Sequence, residues 1–315
     1  MVNLVVPIFE INNDELSPIE QTDFDSEKVL QTLIERNLQP VFNCRFVASE
    51  FATGQQHAGR IDSLAISEDN NPVIIEYKKV ESSELINQSL FYLSWLHDHR
   101  GNFEIAVQKK LRDNIEIDWS DIRVICIAPN YKRYDLYAVQ LMGINIELWK
   151  YRLFKNSTLY LDQIFQKGYS PVSADGSSKN PIMVNAGKKA AITRATASYT
   201  FEQHIKGKSQ KTRELVEMIQ EFILGLDSQI EETPKKYYIA YKISQNIMCM
   251  EIHKQKVLLY LKLNPKEIEN PPPISRDVTQ IGHFGTGNFE ISVKSVEDCE
   301  TAKQFIESAY QKVGG

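Results

Sequence analysis

Apolar and polar residues follow two different periods along the first half of the chain. A helical stripe occupies residues 29–38 after a candidate N-cap at Asp25 or Ser26, and short apolar runs separated by turns come next. In chain order, the predicted elements are a helix beginning near residue 26, strands at 44–51, 60–66 and 73–78, helices at 83–99 and 103–112, a strand at 122–128, a helix at 131–141 and a strand at 145–149. This order predicts an α/β fold in which a mixed sheet carries helices on both faces.

The composition changes in the second half before regular patterns return. Residues 168–196 are rich in Ser, Gly, Asn, Lys and Ala without periodicity, which is typical of a linker. Beyond them we predict one long helix at 201–226, strands at 236–243, 247–252, 256–263 and 289–293, and a closing helix at 296–312, which form a small α+β domain. The predicted domains are an N-terminal arm or edge element (1–23), an α/β core (24–165), a basic linker (166–198) and a small C-terminal α+β domain (199–315).

Length and composition narrow the class of protein. A chain of 315 residues has room for two domains, and 42% hydrophobic with 24% charged residues excludes general disorder. No apolar run approaches the ~20 residues that span a bilayer, and the first residues lack the basic stretch of a secretory signal. The four cysteines lie far apart in apolar surroundings. We therefore expect a cytoplasmic protein with no membrane partner and with reduced, buried cysteines.

Charge is distributed unevenly along the chain. Residues 1–165 carry 16 Lys/Arg and 24 Asp/Glu (−8), and residues 166–315 carry 20 and 17 (+3). Residues 166–213 alone hold nine basic and two acidic residues, a net charge of +7. A local basic segment attracts polyanions even in an acidic protein, so Lys206, Lys208 and Lys211 are predicted nucleic-acid contacts. The alternative is a solvated, Lys-rich linker without a partner.

The chemically informative residues lie on the second and third predicted strands. Glu76 and Lys78 are two residues apart, so their side chains project from the same face of their strand. The turn before that strand permits a register that places Asp62 level with them. An acid and a lysine in an otherwise apolar strand are costly unless they are paired or hold an ion. We therefore predict that these three side chains meet in one site.

Two carboxylates beside a lysine suit a hard divalent cation. Mg²⁺ and Mn²⁺ take oxygen ligands and retain several waters. An ion held by Asp62 and Glu76 would activate a water and stabilise charge on a phosphorus centre, while Lys78 would orient that water or neutralise the phosphate. The sequence thus predicts Mg²⁺ or Mn²⁺ as cofactor and a phosphate ester as substrate.

These residues resemble the PD-(D/E)XK nuclease superfamily. Asp62 on one strand, Glu76-x-Lys78 on the next and Glu27 on the preceding helix match its motif, although Ile61 stands where many members have proline. The resemblance implies a restriction-endonuclease-like core in which both strand acids and the helix acid approach the metal. For Glu27 the alternative is a structural one, because an acid in a first helical turn is also favoured by the helix dipole.

Four further residues have expected roles, and the same resemblance implies those of the first two. Gln88 and Tyr92 resemble the Q-x-x-x-Y motif of the RecB-like branch, where they contact the nucleic-acid backbone. The backbone carbonyl of Tyr77 would be an additional metal ligand. Arg60 would grip a phosphate or, alternatively, pair with an acid. The whole chain also resembles a little-characterised prokaryotic family that joins such a core to a small C-terminal α+β domain of unknown function.

The leading hypothesis is therefore a metal-dependent nuclease, a hydrolase of phosphodiester bonds that acts on DNA, with a homodimer as a further option. The rival hypothesis is a catalytically inactive nuclease-like module that binds nucleic acid or docks with a partner in defence or repair. In a third, the C-terminal domain senses a small ligand that gates the nuclease. Cleavage by the wild type that Asp62→Ala and Lys78→Ala lose would separate the first hypothesis from the second.

Overall fold

The structure is a computed structural model that describes residues 8–54, 59–82, 84–112, 115–141, 145–166 and 199–314. The chain forms two compact units, Met1–Thr196 and Ala197–Gly315. Residues 167–198, almost all of the predicted basic linker, lie outside the described residues, so the linker stays a prediction.

The first unit is built on a mixed sheet. Its elements are β1 (Phe9–Asn12), β2 (Glu15–Pro18), β3 (Gln21–Thr22), α1 (Glu27–Arg36), α2 (Leu38–Phe42), β4 (Cys44–Ala52), β5 (Arg60–Ser67), β6 (Pro72–Tyr77), α3 (Glu84–Asp98), α4 (Arg100–Leu111), β7 (Arg123–Ala128), α5 (Arg133–Leu141), β8 (Ile146–Phe154) and β9 (Leu159–Gln166). Among the described residues, seven strands form this sheet in the order β3-β8-β7-β6-β5-β4, with β9 on β8. Strands β6, β7 and β8 run parallel to one another, and the other neighbouring strands are antiparallel. The sheet is therefore mixed, as predicted.

Helices cover both faces of this sheet, which confirms the predicted layering. All six residues of β6 are buried, because its apolar run lies between two helical layers. Helices α3 and α4 supply one layer and α1 and α2 the other; representative core residues are Leu85, Leu90 and Phe103 against Leu64 and Val124, and Leu30, Ile34 and Phe42 against Ile75 and Ile125.

Two local details of the first unit bear on the predictions. The N-cap of α1 is Ser26, whose side chain accepts a hydrogen bond from the Val29 N–H at 3.3 Å. Within the predicted arm, β1 and β2 form a separate exposed hairpin, whereas β3 pairs with β8 as an edge strand. The sequence analysis missed β9, whose apolar alternation is interrupted where its register with β8 shifts, opposite Leu148 and Trp149.

The second unit is a six-stranded antiparallel sheet with helices, a small α+β domain as predicted. Its described elements are α6 (Phe201–Ile205), α7 (Gln210–Leu226), β10 (Glu231–Pro234), β11 (Ile239–Lys242), β12 (Asn246–Ile252), β13 (Val257–Leu261), a 3₁₀ turn (Pro265–Glu267), β14 (Ser275–Asp277), β15 (Phe289–Val293) and α8 (Val296–Val313). The strand order is β10-β11-β12-β13-β15-β14, and α7 and α8 pack on the same core.

The single helix predicted at 201–226 is wrong. The chain breaks it at Gly207, whose φ of +73° belongs to the left-handed region that glycine tolerates. Thr200 caps α6 and Ser209 caps α7, each accepting a backbone N–H three residues ahead. The apolar positions that predicted the helix, from Leu215 to Leu226, all lie beyond the interruption, so they carried no information about it.

Two expectations from composition can be compared with the structure. Cys44, Cys126, Cys249 and Cys299 are all buried free thiols, as predicted. Within the described part of the chain, every helix is too short or too polar to cross a bilayer.

Candidate active site

The predicted strand pairing brings Asp62 and Glu76 together. Strands β5 and β6 pair in antiparallel register with Ser63 opposite Ile75, and continuing that register by one residue places Asp62 opposite Glu76. Directly opposed residues of an antiparallel pair share a face of the sheet. Lys78, two residues beyond Glu76, follows at the carboxyl end of β6.

Each of the two acids accepts a hydrogen bond from a backbone N–H of the other's strand. The Asp62 N–H donates to Glu76 Oε1 at 3.0 Å, and the Tyr77 N–H donates to Asp62 Oδ2 at 3.0 Å. Each carboxylate therefore uses one oxygen on the neighbouring strand, which fixes both side chains.

The second oxygen of Glu76 is the unusual atom of this site. Glu76 is fully buried, and its Oε2 has no hydrogen-bond partner among the described residues. Burial raises the pKa of Glu76 well above its ordinary value, and the Asp62 charge adds to that rise. Burial also raises the pKa of Asp62, against the opposing effects of the Tyr77 N–H and Lys78. A buried glutamate that has an unpartnered oxygen and lies beside a second carboxylate is in an environment that favours a cation or a proton.

Lys78 and Glu27 meet at the rim of this pair. Lys78 Nζ lies 3.5 Å from Glu27 Oε1, and Glu27 Oε2 accepts the Lys79 N–H at 3.0 Å. Glu27 is the first residue of α1, so the capped start of the helix carries the acid to the end of β6. The structure thus brings all four residues of the predicted motif to one place, with Glu27 directed at the lysine.

The carboxylates do not form a three-ligand cage. Among the residues that the structure describes, no group of three or more His, Cys, Asp or Glu side chains is arranged to hold a metal ion. The donor set of Asp62 and Glu76, both oxygen ligands, still suits Mg²⁺ or Mn²⁺, which fill remaining positions with water. The Tyr77 side chain packs in the core of the other face, and a role for its backbone carbonyl stays a prediction.

Gln88 and Tyr92 hold the beginning of β5. The Tyr92 hydroxyl accepts the Arg60 N–H at 3.2 Å and the Gln88 Nε2–H at 3.1 Å, and Tyr92 is 3% exposed. A Cβ on Gly59 would lie 2.9 Å from the Tyr92 ring, so glycine is needed for this approach. The motif therefore anchors the strand two residues before Asp62, and its contact with nucleic acid stays a prediction.

Sequence reasoning missed a polar network behind the pair. Gln31, 3% exposed on α1, donates to the Asp62 carbonyl at 2.7 Å and to Glu35 at 2.9 Å. Ser63 donates to the same Glu35 carboxylate at 2.6 Å. The available signal was the pair Gln31 and Glu35, four residues apart beside the apolar stripe of α1. This network ties α1 to the backbone that carries Asp62.

A third carboxylate, Glu50, continues the row onto β4. Ser49 pairs with Ser63, which places Glu50 opposite Asp62. Its oxygens are directed to Lys28 at 3.1 Å and Arg60 at 3.6 Å, and the Lys28 hydrogen bond is the main cause of its lowered pKa. Arg60, predicted to grip a phosphate or pair with an acid, is thus paired with an acid in this structure.

The other predicted nucleic-acid contacts belong to the second unit. Lys206 and Lys211 are exposed, whereas half-buried Lys208 donates to the Ile252 carbonyl. Burial lowers the pKa of Lys208. Their role in binding stays a prediction.

Comparisons with known proteins add family and fold context. Residues 201–313 match the family model "Domain of unknown function (DUF5655)". An uncharacterized protein of Haemophilus influenzae is 29% identical over 308 residues, covering 96% of this chain and 98% of the relative.

Two solved structures are also similar to part of this chain. A chain of the EndoMS–dsDNA2 complex is 18% identical with a TM-score of 0.30, over 43% of this chain and 51% of that one. A repair endonuclease from Pyrococcus abyssi is 17% identical with a TM-score of 0.25, over 42% and 49%. This chain thus spans about half the length of each. With TM-scores this low, we base function on the side chains of the site itself.

Proposed function

We propose that the first unit is a Mg²⁺- or Mn²⁺-dependent nuclease that hydrolyses phosphodiester bonds of DNA. The observation that carries this proposal is the buried, unpartnered Oε2 of Glu76 beside the Asp62 carboxylate. Leaving a buried carboxylate oxygen without a donor costs free energy that a bound cation would recover. The raised pKa values of both acids have the same origin and support the same reading.

In this proposal Asp62 and Glu76 hold the ion, with the Tyr77 carbonyl and Glu27 as further candidate ligands. The bound ion supplies an activated water and stabilises negative charge on the phosphoryl oxygens. Lys78 orients that water or neutralises the scissile phosphate, and its contact with Glu27 keeps the ammonium at the rim. Gln88 and Tyr92 keep the beginning of β5 in place, so that Asp62 stays in register with Glu76.

DNA would be held largely by charge. Arg60 beside the pair, and Lys206, Lys208 and Lys211 in the second unit, are the proposed phosphate contacts. Phosphate contacts of this kind give affinity that falls steeply with salt and carries no sequence specificity.

Two observations favour the rival module without catalysis. Lys78 is already paired with Glu27, and the described residues lack a three-ligand group. In that case the core would bind DNA in EDTA and in Mn²⁺ alike and cleave it in neither.

A cleavage assay with matched variants tests the proposal. Wild type, Asp62→Asn and Lys78→Ala are incubated with duplex DNA, single-stranded DNA and RNA in Mg²⁺, Mn²⁺ or EDTA. We expect cleavage only with the metal, and a loss of about 10²–10³-fold in each site variant. Lys155→Ala is the control, because its exposed ion pair with Glu20 is a surface contact of the same unit.

A binding measurement separates the metal from the chemistry. Mn²⁺ should raise the melting temperature of wild type and leave that of Asp62→Asn unchanged, since a ligand that binds only the folded state stabilises it. Equal cleavage by wild type and both site variants, or no cleavage of any substrate with either ion, would rule the nuclease out.

A further inference from the structure

Two basic side chains flank one carboxylate at the exposed end of the candidate site. Lys28 Nζ lies 3.1 Å from one oxygen of Glu50, and Arg60 Nε lies 3.6 Å from the other. The side chains of Lys28 and Arg60 are 56% and 68% exposed, so solvent reaches both cations. Two cations that converge on a two-oxygen anion present the charge pattern that also binds a phosphate.

Neighbouring side chains hold the ammonium group of Lys28 and the backbone of Arg60. Lys28 also donates to Gln31 Oε1 at 3.0 Å and to Ser49 Oγ at 3.3 Å. The backbone N–H of Arg60 is held by the Tyr92 hydroxyl. The Lys28 ammonium and the Arg60 backbone would therefore stay in place if the Glu50 carboxylate moved away.

Glu50 is held in its position against the preference of its backbone. Its φ of +51° lies in the left-handed region, which is unfavourable for a residue with a Cβ other than Asn or Asp. Glycine would suit this position on conformational grounds. The presence of a glutamate at this position is therefore explained by its charge, which faces Lys28 and Arg60.

We propose that Lys28 and Arg60 bind one backbone phosphate of nucleic acid, and that Glu50 occupies this phosphate site in the free protein. The proposal rests on the proposed function for the identity of the ligand. The incoming phosphate displaces the carboxylate from both cations, and no covalent bond changes. Because Glu50 lies opposite Asp62 on the adjacent strand, the phosphate bound there neighbours the carboxylate pair.

Fluorescence anisotropy with a labelled DNA duplex in EDTA tests this competition without cleavage. Glu50→Gln removes the competing charge, and Glu50→Gly removes it with a residue that suits the backbone. Glu20→Gln is the matched control, because it removes one negative charge from an exposed ion pair of the same unit. We expect both Glu50 variants to bind about fivefold to tenfold tighter than Glu20→Gln at low salt. Lys28→Gln and Arg60→Gln should bind more weakly than wild type.

The salt dependence gives a second readout. Each phosphate contact adds about 0.9 to the magnitude of the slope of log affinity against log salt. Lys28→Gln and Arg60→Gln should therefore show a shallower slope than wild type, whereas the Glu50 variants should keep the wild-type slope, because the displaced carboxylate leaves the same phosphate contact in wild type. Glu50 variants that match Glu20→Gln, or that bind more weakly, would overturn the proposal, as would a protein that binds no DNA in any form. Loss of Mn²⁺ stabilisation in Glu50→Gln would overturn it too, because Glu50 would then be a metal ligand. Absence of cleavage would refute the nuclease and leave the anisotropy result standing.

Discussion

Two buried glutamates on the same sheet have opposite electrostatic surroundings. Glu147 at the start of β8 is 3% exposed and accepts two hydrogen bonds from Arg123 and one, at 2.9 Å, from the Trp149 indole. Glu76 at the end of β6 is fully buried, accepts one hydrogen bond and lies beside Asp62. One acid is matched by a permanent cation, and the other is placed next to a second acid.

The difference shows which of the two is structural. The Arg123 pKa is raised by its Glu147 partner against the opposing effect of burial, so the guanidinium stays charged. A complete bidentate pair leaves no site for a ligand. The Glu76 environment is electrostatically incomplete, and groups with strongly perturbed pKa values of this kind concentrate at functional sites.

The largest expected effect is the loss of the structural pair. Glu147→Gln keeps the shape of the side chain and removes the charge that compensates Arg123. Because breaking a buried pair leaves an unpaired cation, we expect the free energy of unfolding to fall by about 3–5 kcal/mol. Denaturant unfolding of the purified variant measures it, with Glu20→Gln from the exposed pair as the control for charge removal alone. A loss of less than about 1 kcal/mol would mean that this pair contributes no more than an exposed ion pair, and would weaken the contrast between Glu147 and Glu76.

The same substitution at Glu76 should change the free energy of unfolding in the opposite direction at alkaline pH. Burial raises the pKa of Glu76, so the folded protein holds its proton at pH values where the unfolded chain has released it. Its contribution to stability is complete below the unfolded pKa and is lost as the pH rises through the folded pKa. Glu76→Gln should therefore be more stable than wild type at alkaline pH, by an amount on the order of 1 kcal/mol, and nearly equal at pH 4.

Unfolding curves at a series of pH values, without and with Mn²⁺, measure this prediction. Because Asp62 also has a raised pKa, a residual slope of the same sign should remain in Glu76→Gln. Mn²⁺ should reverse the ranking, since only wild type has both carboxylates. A wild type that gains stability with rising pH relative to Glu76→Gln would contradict the assignment.

Much of the first unit follows from the sequence because its signals are local. The apolar run of β6 and the turn before it predicted that β5 and β6 pair. Because side chains alternate between the two faces of a strand, the spacing then placed Asp62, Glu76 and Lys78 on one face. The break at Gly207 and the edge strand β9 were missed, because one depends on a single backbone angle and the other on pairing with β8.

The orientation of individual carboxylates could not be predicted. The family resemblance implied that Glu27 approaches the strand acids, but the structure directs it to Lys78, a choice that depends on the distance between α1 and β6. The position of Glu50 opposite Asp62 was not predicted, since it depends on an irregularity in β4 between Phe46 and Ala48. The amino-acid sequence alone does not distinguish a buried acid that is paired with a cation from one that is not.

The smallest expected effect concerns how the incomplete site is held. Tyr92→Phe removes the hydroxyl that accepts from Arg60 and Gln88, and we expect the free energy of unfolding to fall by about 1 kcal/mol. Tyr134→Phe, at a position 86% exposed, is the control. Since β5 is anchored two residues before Asp62, cleavage should fall more than DNA affinity measured in EDTA. An affinity loss as large as the cleavage loss would instead assign the hydroxyl to the DNA interface, and the motif would then bind substrate as well as hold the strand.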